Sequence, residues 1–225
     1  MSGVWAVVPV KPLRGALRRL ASALEAPVRR ELQVAMLTDV LGACAGVSEL
    51  AGVVVVTSDP DVVSLAQRVT DAQVVPDHDP PRGMNAAVAR GLAVVAAHGA
   101  EGALVLTADL PLAQPADIVS LLEHRLGNPS VLLVPSADGT GTNAMLLRPA
   151  GAMRPQLGPD SLERHTSQAR RRGLTSRRVS VPRLALDIDT PRDLAALMAG
   201  GGSCATLDVC ERLAVGALLG AGSTF

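Results

Sequence analysis

The sequence predicts a single α/β domain in which helices flank a mostly parallel sheet. Short runs rich in Val, Leu and Ala alternate with segments of helical length, which is typical of parallel strands joined by helical crossovers. A chain of 225 residues is long enough for one such domain with a sizeable core, and no internal linker divides it. We expect the domain to span residues 1–199, followed by a tail rich in Gly and Ala over 200–225.

The predicted strands are apolar runs that end near charged, Gly or Pro residues. Pro27 suits a first helical turn, and Asn85 and Thr190 are predicted N-caps. In the first helix apolar side chains recur at near-helical spacing, and Asp39 is the polar exception. The strands are predicted, in order, at 5–10, 53–57, 73–75, 103–107, 131–134, 143–147 and 178–186. The helices are predicted at 27–45, 61–69, 85–98, 115–125, 161–172 and 191–198, with at most one more, 208–219, in the tail.

Composition narrows the class of partner. Acidic and basic side chains balance at 21 each, so no overall field favours nucleic acid or a membrane surface. Trp5 and Phe225 are the only large aromatic side chains, which weakens any mode of binding that stacks bases on rings. The apolar runs are too short to span a membrane, and no signal peptide is evident. Cys44, Cys204 and Cys210 lack the spacing of a zinc site or a disulfide framework. We therefore expect a soluble, cytoplasmic protein whose partner is a small molecule.

Two acidic segments follow apolar runs: residues 106–111 contain Asp109, and residues 184–191 contain Asp187 and Asp189. Open α/β sheets bind ligands at the carboxyl ends of their strands, where these carboxylates are expected. Asp187 and Asp189 alternate along an extended chain and therefore share one face. Mg²⁺ prefers oxygen ligands and also binds phosphoryl oxygens. The two segments together predict a site for Mg²⁺ and phosphate, although a single Asp at such a position is more typical of a turn or a helix cap.

Four further segments carry groups suited to anions. The loop after the first strand carries Lys11 and several arginines, which bind phosphate through charge and paired hydrogen bonds, although a solvated connection would also explain them. Gly83, ahead of a helix, lets the backbone approach a ligand closely. The alternation of Gly and Thr over 138–143 predicts free backbone amides around an anion. Gly158 with Ser161 opens a helix whose N-terminus favours anions in the same way.

Six motifs, taken in order, resemble the guanylyltransferases of coenzyme F420 biosynthesis. The resemblance extends from about residue 4 to residue 196, and its specificity lies in the order of the motifs, since no single one is decisive. The motifs are Val8-Pro9-Val10-Lys11, Gly83-Met84-Asn85, residues 106–111, Gly141-Thr142-Asn143, residues 158–161 with Arg164-His165, and residues 186–194.

The resemblance implies a Rossmann-like nucleotidyltransferase domain that transfers GMP from GTP to a small phosphorylated acid and releases pyrophosphate. In this family the acid is 2-phospho-L-lactate, phosphoenolpyruvate or 3-phospho-D-glycerate, and the product passes to a downstream transferase of the F420 pathway. The resemblance does not decide which of these acids the protein uses, or whether it forms a homodimer. The site residues that it implies are Asp109, Asp187 and Asp189 for Mg²⁺, Lys11, Gly83 and Asn85 for GTP, and Thr142, Gly158 and Ser161 for the acid, with the aspartates and Lys11 as catalytic groups.

The loop after the first strand departs from the family pattern. The family usually carries a second Lys there, followed by Ser or Thr, then Arg and Leu, whereas this chain has Leu17-Arg18-Arg19-Leu20. An apolar Leu17 cannot neutralise phosphate, although Arg18 or Arg14 could serve instead. A non-catalytic GTP-binding homologue is therefore one alternative.

Two more classes of enzyme share some of these motifs, but the chain lacks a feature that each of them needs. A molybdenum-cofactor nucleotidyltransferase would need a Gly-Gly-x-Ser loop after the first strand, which this chain lacks. A phosphatase with the Asp-x-Asp-x-Thr pattern would need that motif on an early strand, whereas residues 187–190 come late in the chain.

Overall fold

A computed structural model of the chain describes residues 3–78 and 80–221. Over these residues seven strands form one sheet in the order β3-β2-β1-β4-β6-β5-β7. All neighbouring strands run parallel except β6, which is antiparallel to both β4 and β5. The carboxyl ends of β1 to β4 therefore meet the start of β6 at one edge of the sheet. The strands are β1 (Val4–Pro9), β2 (Leu50–Val56), β3 (Gln73–Val75), β4 (Gly102–Leu106), β5 (Ser130–Pro135), β6 (Thr142–Arg148) and β7 (Thr175–Arg178).

The six helices predicted ahead of the tail are confirmed, with bounds that differ by one or two residues. No helix in the described part of the chain is long and apolar enough to cross a membrane. The helices are α1 (Ala26–Ala45), α2 (Pro60–Thr70), α3 (Met84–Ala97), α4 (Pro115–Glu123), α5 (Ser161–Arg171), α6 (Pro182–Ala185), α7 (Pro191–Gly200), α8 (Ala205–Arg212) and α9 (Val215–Ala221).

The last predicted strand, 178–186, is wrong over most of its length. β7 ends at Arg178, and the turn α6 follows before the acidic segment. Pro182 explains the difference, because it has no N–H for a strand ladder and its fixed φ suits the first turn of a helix. Asp187 therefore follows a helical turn, whereas Asp109 follows strand β4 as expected.

The predicted cap at Thr190 is confirmed, and the one at Asn85 is wrong. Thr190 accepts a hydrogen bond from the N–H of Asp193, whose carboxylate accepts in return from the N–H of Thr190. Helix α3 begins instead at Met84, with Gly83 as its N-cap at φ 92°. Glycine adopts this left-handed conformation without a steric penalty, and Asn85 is left free for a contact with another loop.

The core lies on both faces of the sheet and is built almost entirely from aliphatic side chains. Strands β1 and β4 lie near the centre of the sheet and are apolar along their length, which is typical of parallel strands covered on both faces. Helix α3 packs closely on β1 because Gly91 has no side chain: a Cβ there would lie 2.5 Å from Cγ1 of Val7. This contact holds α3 against the strand whose end carries the predicted phosphate loop.

The segment after residue 200 forms two helices rather than the single predicted one. Helices α8 and α9 bury Cys210 and Val215 in a third apolar cluster that also contains side chains of α1 and α7. The Asp39 carboxylate of α1 accepts hydrogen bonds from the N–H groups of Ala205 and Thr206 and from the Thr206 hydroxyl. Asp39, the polar exception on α1, thus caps the start of α8.

Candidate active site

The ends of β1, β3 and β4 border a cavity of about 670 Å³ at the carboxyl edge of the sheet. This is the edge at which open α/β sheets bind ligands. Five predicted site residues line the cavity: Lys11, Gly83, Asp109, Gly158 and Asp189. The other four, Asn85, Thr142, Ser161 and Asp187, are outside its lining.

Asp109 has an environment that favours a bound cation. Its Oδ1 atom is shielded from solvent and makes no hydrogen bond of normal geometry among the described residues, and the same holds for the nearby Thr107 hydroxyl. Burial raises the pKa of Asp109 to about 6, the Thr107 side chain partly offsets this rise, and the negative charges of Asp187 and Asp189 add a smaller increase. A cation beside this oxygen would stabilise the ionised carboxylate and would give Oδ1 a partner.

Asn143 holds the second acidic segment beside Asp109. Its side-chain amide donates to Oδ1 of Asp187 at 3.1 Å and to two carbonyl oxygens of α6, each at 3.0 Å. The N–H of Ile188 donates to the carbonyl oxygen of Asp109 at 3.1 Å, and the Ile188 side chain is buried in the third apolar cluster. Burial also raises the pKa of Asp187. The sequence does not predict this role of Asn143, because its partners lie more than 40 residues away.

Asp189 and Arg19 form an ion pair at the mouth of the cavity, with 2.9 Å between Nη1 and Oδ2. In the described part of the chain, no three His, Cys, Asp or Glu side chains are arranged so that they already form a metal-binding group. The donor set nevertheless suits Mg²⁺, because all three predicted ligands are carboxylates and Asp109 has an unpartnered oxygen. A cation on Asp189 would compete with Arg19 for the same oxygen.

Four basic side chains line the cavity near these carboxylates: Lys11, Arg14, Arg18 and Arg19. Leu17 lies among them at φ 49° and precedes the short 3-10 helix that carries two of the arginines. Within residues 3–78 and 80–221, Arg19 is the member of this group that forms an ion pair. The cavity thus offers positive charge to an anionic ligand even though Leu17 replaces the expected Lys.

Two predicted turns meet through Asn85. Its side-chain amide donates to the carbonyl oxygen of Leu157 at 3.1 Å, and its Oδ1 accepts from the N–H of Leu157 at 2.6 Å. Gly83 and Gly158, which lie close to these two residues in the chain, have φ angles of 92° and 112° and line the same cavity. The turn predicted for GTP and the turn predicted for the acid are therefore joined by two hydrogen bonds.

Thr142 and Ser161 are buried and do not line the cavity. The Nε2 atom of His165 accepts a hydrogen bond from the N–H of Gln156 at 2.9 Å, so Nδ1 carries the proton and donates to the Thr142 hydroxyl at 3.1 Å. Burial, aided by the charge of Arg164, lowers the pKa of His165 to about 4. His165 thus joins β6 to the loop before α5, and the Thr142 hydroxyl is engaged with it.

The Gly-Thr turn over 138–143 differs from its prediction. The carboxylate of Asp138 accepts from the Thr140 N–H at 2.9 Å, and Oγ of Ser136 accepts from the Gly141 N–H at 2.7 Å. Hydrogen bonds, first of all from Ser136, lower the pKa of Asp138 to about 2. The amides expected to surround an external anion are therefore already bound within the turn.

An ion pair with one buried member anchors the turn before Asp187. Both oxygens of Asp117 in α4 accept from Arg183 in α6, at 2.8 Å from Nε and 2.7 Å from Nη2. The Asp117 side chain is 5% exposed, whereas Arg183 is 45% exposed. The sequence gives no sign of this pair, since its members lie 66 residues apart.

Solved structures with this fold include nucleotidyl transferases. A protein from Desulfovibrio desulfuricans G20, named as a nucleotide-diphospho-sugar transferase, aligns with a TM-score of 0.78 and 15% identity over 99% of each chain. A nucleotidyl transferase from Methanothermobacter aligns with a TM-score of 0.61 and 22% identity over 89% of this chain and 98% of its own. At these identities the likeness establishes the fold alone, and it confirms the predicted fold class.

Sequence relatives give the family. A phosphoenolpyruvate guanylyltransferase from Conexibacter woesei is 42% identical over 196 residues, which are 86% of each chain. One from Rubrobacter xylanophilus is 42% identical over 199 residues, 88% of this chain and 95% of its own. The family described as Guanylyl transferase CofC like matches residues 4–218. The chain therefore belongs to the CofC-like guanylyltransferase family of coenzyme F420 biosynthesis, as its ordered motifs predict.

Proposed function

We propose that this chain transfers GMP from GTP to phosphoenolpyruvate and releases pyrophosphate. The observation that carries the proposal is the pairing, in one cavity, of a buried unpartnered carboxylate oxygen with a wall of four basic side chains. Phosphoenolpyruvate is chosen ahead of 2-phospho-L-lactate and 3-phospho-D-glycerate because the two relatives at 42% identity carry that substrate in their names.

The reaction needs no proton transfer from the protein. An oxygen of the acceptor phosphate attacks the α-phosphorus of GTP, the bond to the β-phosphate bridging oxygen breaks, and pyrophosphate leaves with that electron pair. The acceptor oxygen is already ionised near neutral pH, so a general base is unnecessary. Catalysis then consists of positioning two anions and stabilising the charge that develops on the leaving group.

The three aspartates would hold Mg²⁺, which when bound supplies positive charge to the phosphates. Asp109 would accept the cation on its unpartnered oxygen, and Asp187, which Asn143 holds through a hydrogen bond, would supply a second carboxylate. Asp189 would exchange its Arg19 partner for the cation. Arg19 would then be released to bind an oxygen of the triphosphate.

The two substrates would occupy different sides of the cavity. Lys11 and the Gly83–Asn85 turn would contact GTP, while the turn at Gly158 would contact the phosphorylated acid. Thr142 and Ser161 would support that turn from behind, because both are buried in the structure. The product would pass to a downstream transferase of the F420 pathway in the cytoplasm.

The test is a pyrophosphate-release assay with purified protein, GTP, Mg²⁺ and each of the three acids in turn. We expect release with phosphoenolpyruvate above that with the other two acids, and mass spectrometry should identify the guanylylated acid. Preference for another acid would correct the acceptor and leave guanylyl transfer in place. GTP binding without pyrophosphate release for any acid would favour the non-catalytic homologue that Leu17 suggests.

A further inference from the structure

Asp77 lies at the end of the cavity opposite the proposed metal site. It follows β3, whereas Asp109 follows β4, and both residues line the cavity. The sheet order β3-β2-β1-β4 separates these strands by three spacings, or about 14 Å. A nucleotide whose α-phosphate lies beside Asp109 can therefore extend across the carboxyl ends of the strands toward Asp77.

The backbone holds the Asp77 carboxylate in a defined orientation. The N–H of Asp77 donates to the carbonyl oxygen of Thr57 at 3.3 Å, and its own carbonyl oxygen accepts from the Ser58 hydroxyl at 3.3 Å. Oδ1 of Asp77 accepts from the N–H of His78 at 2.7 Å. No basic side chain forms an ion pair with Asp77 over residues 3–78 and 80–221, so its charge is available to a ligand.

The lining of the cavity is not charged throughout. It also includes the apolar side chains of Pro9, Val10, Pro81, Met84 and Ala87, and Pro81 and Met84 follow Asp77 closely in the chain. Apolar walls accommodate a flat heterocycle, and an oriented polar group among them determines which heterocycle is accepted. A carboxylate is an acceptor only, so it selects a ring edge that presents N–H donors.

We propose that Asp77 selects guanine by accepting hydrogen bonds from its N1–H and its 2-amino group. Guanine presents these two donors side by side, whereas adenine presents an unprotonated N1, which would face a carboxylate oxygen without a proton between them. In the proposed arrangement the N1–H shares Oδ1 with the His78 N–H, and the 2-amino group meets Oδ2. This inference rests on the proposed function, since it assumes that the cavity takes a guanine nucleotide.

The test is the substitution Asp77→Asn, with GTP compared against XTP. The His78 N–H fixes the amide oxygen of Asn at the Oδ1 position, so the NH₂ group points where Oδ2 was. Xanthine keeps N1–H but carries an oxygen at position 2, which accepts from that NH₂ group. We expect kcat/KM for GTP to fall at least about tenfold and kcat/KM for XTP to rise, so that the preference reverses.

Asp71→Asn is the matched control, because it makes the same chemical change at a residue outside the cavity. Asp71 has a left-handed backbone conformation, which Asn tolerates. It should keep the wild-type preference for GTP. An equal loss for GTP, XTP and ATP in Asp77→Asn would overturn the proposal, since that pattern indicates a contact with ribose or a structural role.

Equilibrium dialysis of GTP and XTP, without an acceptor acid, separates this inference from the proposed function. If the protein binds GTP but transfers no GMP, the proposed function fails and the binding ratio in Asp77→Asn still decides the role of Asp77. If the variant transfers GMP with its GTP preference unchanged, the inference is wrong and the proposed function stands. Absence of GTP binding by the wild-type protein would overturn both.

Discussion

The Oδ1 atom of Asp109 is shielded from water and accepts no hydrogen bond of normal geometry. A buried polar atom in this state destabilises a folded protein. Its pKa of about 6 lies above the value of 3.8 expected for an unperturbed Asp, so the folded state favours the protonated form. The stability associated with this protonation is present below pH 3.8 and is lost as the pH rises through 6. At neutral pH this loss of unfolding free energy is about 3 kcal/mol at most.

We therefore predict that Asp109→Asn removes guanylyl transfer and yet raises the melting temperature at pH 7 in the absence of Mg²⁺. The neutral amide removes the buried charge. The gain in melting temperature should disappear below pH 4, where Asp109 is protonated in the folded protein and largely protonated in the unfolded one. Thermal denaturation at the two pH values, together with pyrophosphate release, checks both parts. Turnover retained at saturating Mg²⁺ would disprove the assignment of Asp109 as a metal ligand.

Leu17 stands where the resemblance to the family predicts a second Lys, and its backbone has a left-handed conformation. We predict that Leu17→Lys leaves activity unchanged or lowers the KM for GTP, because it adds a cation to a cavity already lined by Lys11 and arginines. Leu17→Gln, which adds length without charge, is the control. A large loss of activity in the Lys variant would mean that the loop depends on packing of the leucine.

At the scale of elements, His165 joins β6 to the loop before α5 as a neutral ring. A second proton would have to sit on Nε2, which already accepts from the N–H of Gln156. The pKa of His165 is lowered from 6.5 to about 4, so the stability it contributes is fully present above pH 6.5 and is lost as the pH falls toward 4.

We predict that the wild-type protein loses about 3 kcal/mol more of its unfolding free energy than His165→Gln does between pH 6.5 and pH 4. Urea denaturation of both proteins across this range measures the difference. His124→Gln is the control, because the His124 ring makes no hydrogen bond within the described residues. Identical pH profiles for the wild type and His165→Gln would show that the ring is solvated and titrates normally.

Asn85 joins two elements across the cavity, and its loss should affect both substrates. We predict that Asn85→Ala raises the KM for GTP and for the acid severalfold, because the turn at Leu157 loses two hydrogen bonds to α3. Asn85→Asp keeps an acceptor for the Leu157 N–H but places a charge beside its carbonyl oxygen, so it should resemble the Ala variant. An effect confined to one substrate would mean that the two turns move independently.

For the whole molecule, the sequence predicts what depends on local pattern. Alternating apolar runs predict the sheet and helices, and the rule for strand ends in α/β sheets brings Asp109 to the cavity. The supports of the acidic segment depend on residues far apart in the chain, as the contacts of Asn143 and the pair of Asp117 with Arg183 illustrate. Such contacts leave no local signal. Asp39 stands out in the sequence as a polar residue on the apolar face of α1. Its role as a cap can be recognised only once the position of α8 is known.

The C-terminal helices are part of the core, and their removal tests this at the scale of the whole chain. A chain that ends at residue 200 would expose the apolar cluster that α8 and α9 cover, including the fully buried Leu194 of α7. It would also lose the burial of Cys210 and Val215. Since each buried aliphatic side chain contributes about 1.5–3 kcal/mol, we predict a loss of several kcal/mol in unfolding free energy, measured by urea denaturation.

Two further variants keep this prediction specific. A chain that ends at residue 221 should match the full chain, because it retains both helices. Asp39→Ala should lose a smaller amount than the truncation, about 1–3 kcal/mol, because it removes the hydrogen bonds at the start of α8 and leaves the apolar contacts in place. If the chain ending at residue 200 were as stable as the full chain, the third cluster would contribute nothing to folding, and the catalytic domain would end where the sequence predicts, at residue 199.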